Sequence, residues 1–415
     1  MKYYKLQELC TEIIDCPHST PDWKKEGIRV VRNFNLKDGN IDFTDGYFVD
    51  EATYMERIKR AVPEEGDIII SREAPMGVVG IVPKGLKCCL GQRLVLLKVN
   101  KQKCNPFYLL NTLMSEFVQT QIRRADATGS TVSNLCIPDL KEIIIPVIDH
   151  GQREVADFLE MINRKHIINN MINDNLEQQI QSIYHYLFTQ FDFPDELGRP
   201  YCTSGGKMLW NDKLKRNIPT NWKVKKLGDL CSFQNGINYD KSIDGDKNYH
   251  IINVRNISSS SFLLDENDLD IISLPHKKGD KYCVTDDSII IARSGIPGAT
   301  RILFKPTKNT IFCGFIICCT PVDKNMQYYL TFYLKLLEGS SATQTGGSIL
   351  QNVSQDTLSN LPVLIPPKPV LDEFNQLVLQ TFELIHNNMN ETTQLVNLRD
   401  WLLPMLMNGQ ATISD

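Results

Sequence analysis

Ile68-Ile69-Ile70-Ser71-Arg72 returns as Ile289-Ile290-Ile291-Ala292-Arg293, a shift of 221 residues (70 against 291), and Gly77 returns as Gly298 at the same shift. The shift also carries Lys5-Leu6 onto Lys226-Leu227, Leu9 onto Leu230, Asn35-Leu36 onto Asn256-Ile257 and Tyr108-Leu109 onto Tyr329-Leu330. Blocks that keep one register through about 100 residues define an internal repeat. The period is far too long for a solenoid unit, so each copy reads as a domain with an appendage. Two similar, non-identical halves predict a pseudo-symmetric molecule that does one kind of thing at two places.

A chain of 415 residues predicts two or three domains with ample core in each. No apolar run approaches the roughly 18 residues that a membrane span needs. Met1-Lys2-Tyr3-Tyr4-Lys5 lacks the apolar core of a signal peptide. The expected location is therefore the cytoplasm. The net charge of −4 shows no basic stripe of the kind that marks many nucleic-acid-binding modules, so polyanion binding has to come from local arrangement or from a partner. The 12 cysteines contain no CxxC pair, and Cys88-Cys89 and Cys318-Cys319 lie in strand-like runs, where neighbours point to opposite faces and cannot share one tetrahedral site. Buried reduced thiols are the expectation, and no metal site is assigned.

Residues 1–150 read as mixed β-structure with short helices. Val30-Val31, Asp67 to Ser71, Val78 to Val82 and Leu94 to Val99 are short β-branched runs bounded by turn residues. A helix is expected over Pro106 to Arg124 and a further strand over Glu142 to Val147. Residues 151–188 lose glycine and proline after Gly151. Apolar residues recur there at three- and four-residue steps, which predicts a helix roughly 57 Å long. Residues 189–217 read as a loop-like linker, 218–367 as the second domain and 368–408 as a second long helix. That helix carries a heptad seam through Val378, Phe382, Ile385, Met389, Thr392, Val396, Arg399 and Leu403. The expected fold class is α+β: two similar domains joined by two long antiparallel coiled-coil helices with pseudo-two-fold symmetry. The alternative is that each long helix packs only on its own domain.

No intact catalytic motif is present in the sequence. Asn105-Pro106-Phe107-Tyr108 approaches the Asn/Asp-Pro-Pro-aromatic loop of adenine amino-methyltransferases, but its second proline is Phe107 and no FxGxG-like donor loop exists. A helix start with proline in the first turn explains it. No GxxxxGK[ST] loop is present, and the seven histidines do not recur between copies.

What does recur is a polar rim after apolar strands. Ser71 and Arg72 answer to Arg293 and Ser294; Thr128, Ser130 and Asn134 are echoed by Thr345, Ser348, Gln351 and Asn352. Arg32 and Asn33, and in the second copy Asn253 and Arg255, sit beside the early strand. Arginine can grip guanine O6 and N7, asparagine or glutamine can grip adenine N6 and N7, and hydroxyls suit phosphate oxygens. Each of these fifteen residues also reads as an ordinary loop residue; their coincidence with the repeat makes them the candidate DNA contacts.

At this point the chain resembles the specificity (S) subunit of Type I restriction–modification enzymes. The features that carry the resemblance are the duplicated strand–Arg–Gly blocks, Thr128-Gly129-Ser130-Thr131, Gln152-Arg153-Glu154 and Ile218-Pro219-Thr220-Asn221-Trp222. They also include Phe191-Asp192-Phe193-Pro194 with Ser204-Gly205-Gly206 and Trp210, and the closing Leu398-Arg399-Asp400-Trp401-Leu402-Leu403-Pro404-Met405-Leu406-Met407-Asn408-Gly409. The first copy lacks the Ile-Pro-x-x-Trp opening, and the second long helix lacks the Gln-Arg-Glu element. The resemblance implies two target recognition domains that read double-stranded DNA as a bipartite, gapped sequence, joined by a helical spacer. It also implies docking to two modification (methyltransferase) subunits and to restriction subunits. The chain itself would then be non-catalytic and bind no cofactor; S-adenosylmethionine and ATP with Mg would belong to the partners. Two other readings stand beside this one: an autonomous DNA adenine methyltransferase, and a coiled-coil assembly scaffold without base reading.

Overall fold

The computed structural model describes residues 1–43, 46–126, 134–239, 245–338, 353–407 and 410–411. The chain divides into two compact units, Met1–Ile167 with Gln394–Asp415, and Ile168–Thr393. Each unit is built around a triple-isoleucine strand. In the first, Ile68–Ser71 lies inside a four-stranded sheet whose order is Cys10–Asp15, Leu94–Val99, Ile68–Ser71, Val79–Ile81. In the second, Ile289–Ala292 takes the same place in the order Cys231–Asn235, Ile316–Pro321, Ile289–Ala292, Thr300–Ile302.

Three isoleucines in a row suit a strand covered on both faces, because alternate side chains enter opposite cores. Ile68 and Ile70 pack with Leu109, Leu110 and Leu113 of the helix Pro106–Met114, while Ile69 packs with Val31, Leu90 and Leu96 on the other side. The second unit repeats this: Ile289 and Ile291 enter one core, Ile290 another.

A second sheet also recurs. Phe48–Val49, Ile28–Val31 and Cys88–Leu90 match Asp270–Leu274, Lys247–Ile252 and Thr310–Phe312, each set with one antiparallel and one parallel pairing. Lys2–Lys5 pairs with Ile144–Val147 as Lys223–Lys226 pairs with Pro362–Ile365. Buried hydrogen bonds are copied as well. Tyr108 donates its hydroxyl to Pro146 O at 3.1 Å, and Tyr329 donates to Leu364 O at 2.6 Å, tying a helix to the closing strand in each unit.

Asn105 starts the helix at Pro106: its Oδ1 accepts from Phe107 N at 2.9 Å and Tyr108 N at 3.3 Å. The single helix expected over 106–124 is two, Pro106–Met114 and Glu116–Asp126. Ser115 breaks it by donating both its hydroxyl (2.6 Å) and its N–H (3.1 Å) to Thr112 O, while its own extended backbone begins the next helix. The strand expected from Glu142 begins at Ile144, because Ile137–Glu142 is helical with Pro138 in its first turn.

The stretch read as a loop-like linker is folded. Met208–Asn211 and Arg216–Pro219 form a hairpin that runs past residue 217. Phe191 and Phe193 are buried against Trp222, with ring centroids 5.4 and 5.1 Å apart. Glycine and proline there punctuate turns within a packed segment.

The long helices are Gln152–Tyr184 and Lys368–Met407. Within the second unit, Val378, Phe382 and Ile385 share a core with Ile180 and Tyr184. Buried Asn169 donates to Glu391 Oε2 at 2.8 Å, and Asn388 donates to Asn173 Oδ1 at 2.8 Å, so numbering rises on one helix as it falls on the other. Within the first unit, Leu403 and Leu406 join Val155, Ala156 and Leu159.

Nine of the 12 cysteines are buried, and burial pushes the thiols of Cys10, Cys88 and Cys104 up to about 12. Among the described residues no helix is long and apolar enough to cross a membrane.

If the frame is duplicated energetically as well as geometrically, Tyr108→Phe and Tyr329→Phe should each lower stability by about 1 kcal/mol, since each leaves a buried carbonyl without its donor. Urea unfolding followed by fluorescence checks this; a cost in only one copy contradicts it.

Candidate nucleic-acid interface

The end of each triple-isoleucine strand is held from two sides by backbone. Arg72 N donates to Arg93 O at 2.8 Å and Arg72 O accepts from Leu135 N at 3.0 Å. Arg293 N donates to Phe315 O at 2.8 Å and Arg293 O accepts from Val353 N at 2.8 Å. The turns that follow are copied too. Gly77 N donates to Ser71 O and Gly298 N to Ala292 O, each at 2.9 Å, with φ of +82° and +85° at the two glycines. Ser71, expected at a phosphate, is fully buried: its hydroxyl donates to Pro75 O at 2.6 Å and accepts from Val78 N at 2.9 Å. Closing that turn leaves no hydroxyl for DNA.

The two arginine side chains differ. Arg72 NH1 donates to both oxygens of Asp15 at 3.0 and 3.2 Å, Nε to Leu135 O at 3.0 Å, and NH2 to Asn134 Oδ1 at 3.3 Å. These bonds pin three segments together, which makes Arg72 a positioning residue. Arg293 NH1 donates to Gly314 O at 3.2 Å, and its buried Nε has no hydrogen-bond partner among the described residues. Ser294 is half-buried in the adjoining turn.

Arg72 and Asn134 line an open cleft of about 280 Å³ together with His18, Glu73, Gln92 and Arg93. His18 Nε2 lies 3.0 Å from the Asp15 carboxylate, Gln92 donates to His18 O, and Arg93 Nε lies 3.1 Å from Glu73. Sequence reading singled out neither Gln92, Arg93 nor His18 for DNA contact.

The loop after the early strand meets this edge in both copies. Asn35 and Asn256, both buried, accept from the backbone N–H of Arg32 (2.9 Å) and Asn253 (2.8 Å). Asn33 Nδ2 then donates to Ala74 O at 2.6 Å. At the same juncture in the second copy a Cβ on Gly295 (φ +79°) would sit 3.0 Å from Val254 Cγ1, a close approach suited to glycine. Arg32 lies over Trp23, Phe34 and Tyr47 at 5.4, 4.6 and 4.4 Å, so its guanidinium is preoriented by aromatic faces. Arg255 is tied to Asp270 at 2.9 Å and Asp268 at 3.4 Å, and Asn253 donates to Asp270 at 3.1 Å. The hydrogen bond to Asp270 raises the Arg255 pKa above its ordinary value.

The first unit therefore gathers Asn33, Arg72 and Asn134 on one edge. Among the described residues no hydrogen bond joins the Arg255 cluster to Arg293. Thr128, Ser130, Thr345, Ser348, Gln351 and Asn352 lie outside the described residues. No group of three or more His, Cys, Asp or Glu able to hold a metal occurs among the described residues.

Because Arg72 shields a partly buried carboxylate and Arg293 does not, Arg72→Met should cost about 1.5–3 kcal/mol in urea unfolding. Arg293→Met should cost less; equal losses would show that the Asp15 pair is not what holds the first rim.

The family described as Type I restriction modification DNA specificity domain matches residues 2–178 and again 219–395. The Type I restriction enzyme MjaIX specificity subunit of Methanocaldococcus jannaschii is 26% identical over 373 residues, covering 88% of this chain and 82% of the relative. The HindI specificity subunit of Haemophilus influenzae is 21% identical over 413 residues, covering 85% and 88%. In fold, the crystal structure of the Type-I restriction-modification system S subunit from M. genitalium matches with a TM-score of 0.55 at 15% identity, over 98% of this chain and 95% of that one. The duplicated frame and the doubly matched family agree: the chain belongs to the Type I restriction modification DNA specificity family and carries its domain twice.

Proposed function

We propose that this specificity subunit of a type I restriction–modification system reads a bipartite, gapped sequence in double-stranded DNA. In this reading residues 1–150 and 218–367 are the two target recognition domains. The helices Gln152–Tyr184 and Lys368–Met407 form an antiparallel coiled-coil spacer that fixes the gap, and 189–217 is the folded connection. The single observation that carries it is one backbone frame built twice with different rims: Arg32 against Asn253, Asn33 against Val254, and the ion-paired Arg72 against Arg293. A subunit that read one sequence twice would have no use for that divergence.

The proposed DNA contacts are Arg32, Asn33 and Asn134 with Thr128 and Ser130 in the first half. In the second they are Asn253, Arg255, Arg293 and Ser294 with Thr345, Ser348, Gln351 and Asn352. Arg72 positions the first rim. Arginine stacked on aromatic rings, as at Arg32, keeps its edge donors available for base or phosphate. The antiparallel register seen within the second unit, where Asn169 meets Glu391, supports the spacer. A polar residue buried in such a seam favours one register over its slipped neighbours.

The chain is proposed to be non-catalytic and to act in the cytoplasm, docking two modification subunits and restriction subunits. S-adenosylmethionine serves the modification subunits, and ATP with Mg the restriction subunits. The absence of a donor loop and of an intact Asn/Asp-Pro-Pro-aromatic motif in the sequence supports this over an autonomous methyltransferase.

Two measurements test the reading. The chain by itself should show no S-adenosylmethionine binding in calorimetry; stoichiometric binding would favour the autonomous enzyme. Replacing residues 1–150 with the matching segment of another family member should change one half of the methylated motif and leave the other half and the gap as they were. A hybrid that alters both halves, or neither, would refute the assignment of one half-site to each domain.

A further inference from the structure

We propose that Arg93 and Phe315 occupy one position on the duplicated frame, and that through them the two halves read different bases. The inference rests on the DNA-reading role proposed above. The equivalence comes from sheet register. Leu94 pairs with Ser71 and Ile316 with Ala292, so Arg93 and Phe315 each stand one residue before the paired strand. Each gives its carbonyl to the N–H of the duplicated arginine, at 2.8 Å in both copies. The arginines are related by a shift of 221 (72 against 293), these two residues by 222 (93 against 315).

Both side chains face outward from the rim. Arg93 is 54% and Phe315 62% exposed. Arg93 adopts φ +65°, a left-handed conformation that non-glycine residues keep only where surrounding contacts impose it. Its carbonyl is held by Arg72, its Nε pairs with Glu73 at 3.1 Å, and it lines the cleft with Gln92 and Asn134. Arg72 cannot take this part, since Asp15, Leu135 and Asn134 engage all three of its guanidinium nitrogens. Phe315 makes no ring contact among the described residues and follows Gly314, whose carbonyl accepts from Arg293.

The chemistry at the shared position is therefore opposite. A guanidinium fork in a polar cleft matches the O6 and N7 acceptors of guanine. An exposed phenyl ring offers no hydrogen bond and matches the thymine methyl group, or wedges between base steps. The first half-site should thus contain a guanine under Arg93, and the second a thymine or a deformable step under Phe315.

The test maps methylated adenines in cells that carry the full complex with the unaltered chain, Arg93→Asn, Arg93→Lys or Phe315→Leu. Asparagine tolerates the left-handed backbone. The purified complexes are then titrated against duplexes bearing every single base change in the motif. Arg93→Asn and Arg93→Lys should each lose about ten-fold discrimination at one or two positions of one half. Phe315→Leu should do so in the other half only. Lysine keeps the charge and the packing but not the fork, so it remains informative if asparagine impairs folding. Unchanged preferences in all variants overturn the inference. So does an affinity loss equal for every duplex, which marks a phosphate contact. If the unaltered complex gives no gapped motif, it is the underlying DNA-reading proposal that fails.

Discussion

The burial of Ile68-Ile69-Ile70, and of Ile289-Ile290-Ile291, on both faces of a central strand is the constraint on which each unit depends. A strand that feeds two cores cannot slip by one residue without exchanging its entire side-chain set between them. The strand end is then a fixed point, and the next residue inherits that fixity. The backbone of Arg72 or Arg293 is bonded on both sides, to the residue before one neighbouring strand and to the segment that follows the helices. Loops from distant parts of the chain meet there because the core leaves them no alternative.

What is duplicated is backbone hydrogen bonding and the side chains that serve it: Asn35 and Asn256 under the early loop, Tyr108 and Tyr329 under the closing strand, Gly77 and Gly298 in the turn. What differs is what the frame presents. Arg32 lies among three aromatic rings, whereas the Asn253–Arg255 pair leans on Asp268 and Asp270. Arg72 is neutralised by Asp15, and Arg293 keeps a buried Nε without a partner among the described residues.

Much of the frame was legible in the sequence, since period and shift are local or translational signals. The central strands, the cap at Asn105 and the turn at Gly77 follow from short-range chemistry, and the long helices from apolar spacing. Side-chain competition was not legible in the same way. Ser115 ends a helix whose apolar spacing continues, because its hydroxyl and N–H capture Thr112 O. The glycine-rich stretch after Thr189 looked like a linker until Phe191 and Phe193 found Trp222, which lies outside it. The candidate site suffered most. Asp15 and Arg72 are 57 residues apart, so nothing local marks Arg72 as already engaged, and Ser71 gave no sign of facing inward. The equivalence of Arg93 and Phe315 is not legible in the sequence, because a constant shift of 221 sets Arg93 against Gly314; only the strand pairing reveals the one-residue slip.

Recognition by two unlike rims on one repeated frame is the central claim, and the methylation pattern of the unaltered complex tests it most directly. Genome-wide mapping of modified adenines in cells carrying this chain with its proposed modification subunits should return one motif of two unlike halves separated by a fixed run of unspecified bases. A continuous motif, or two identical halves in inverted repeat, would contradict the account.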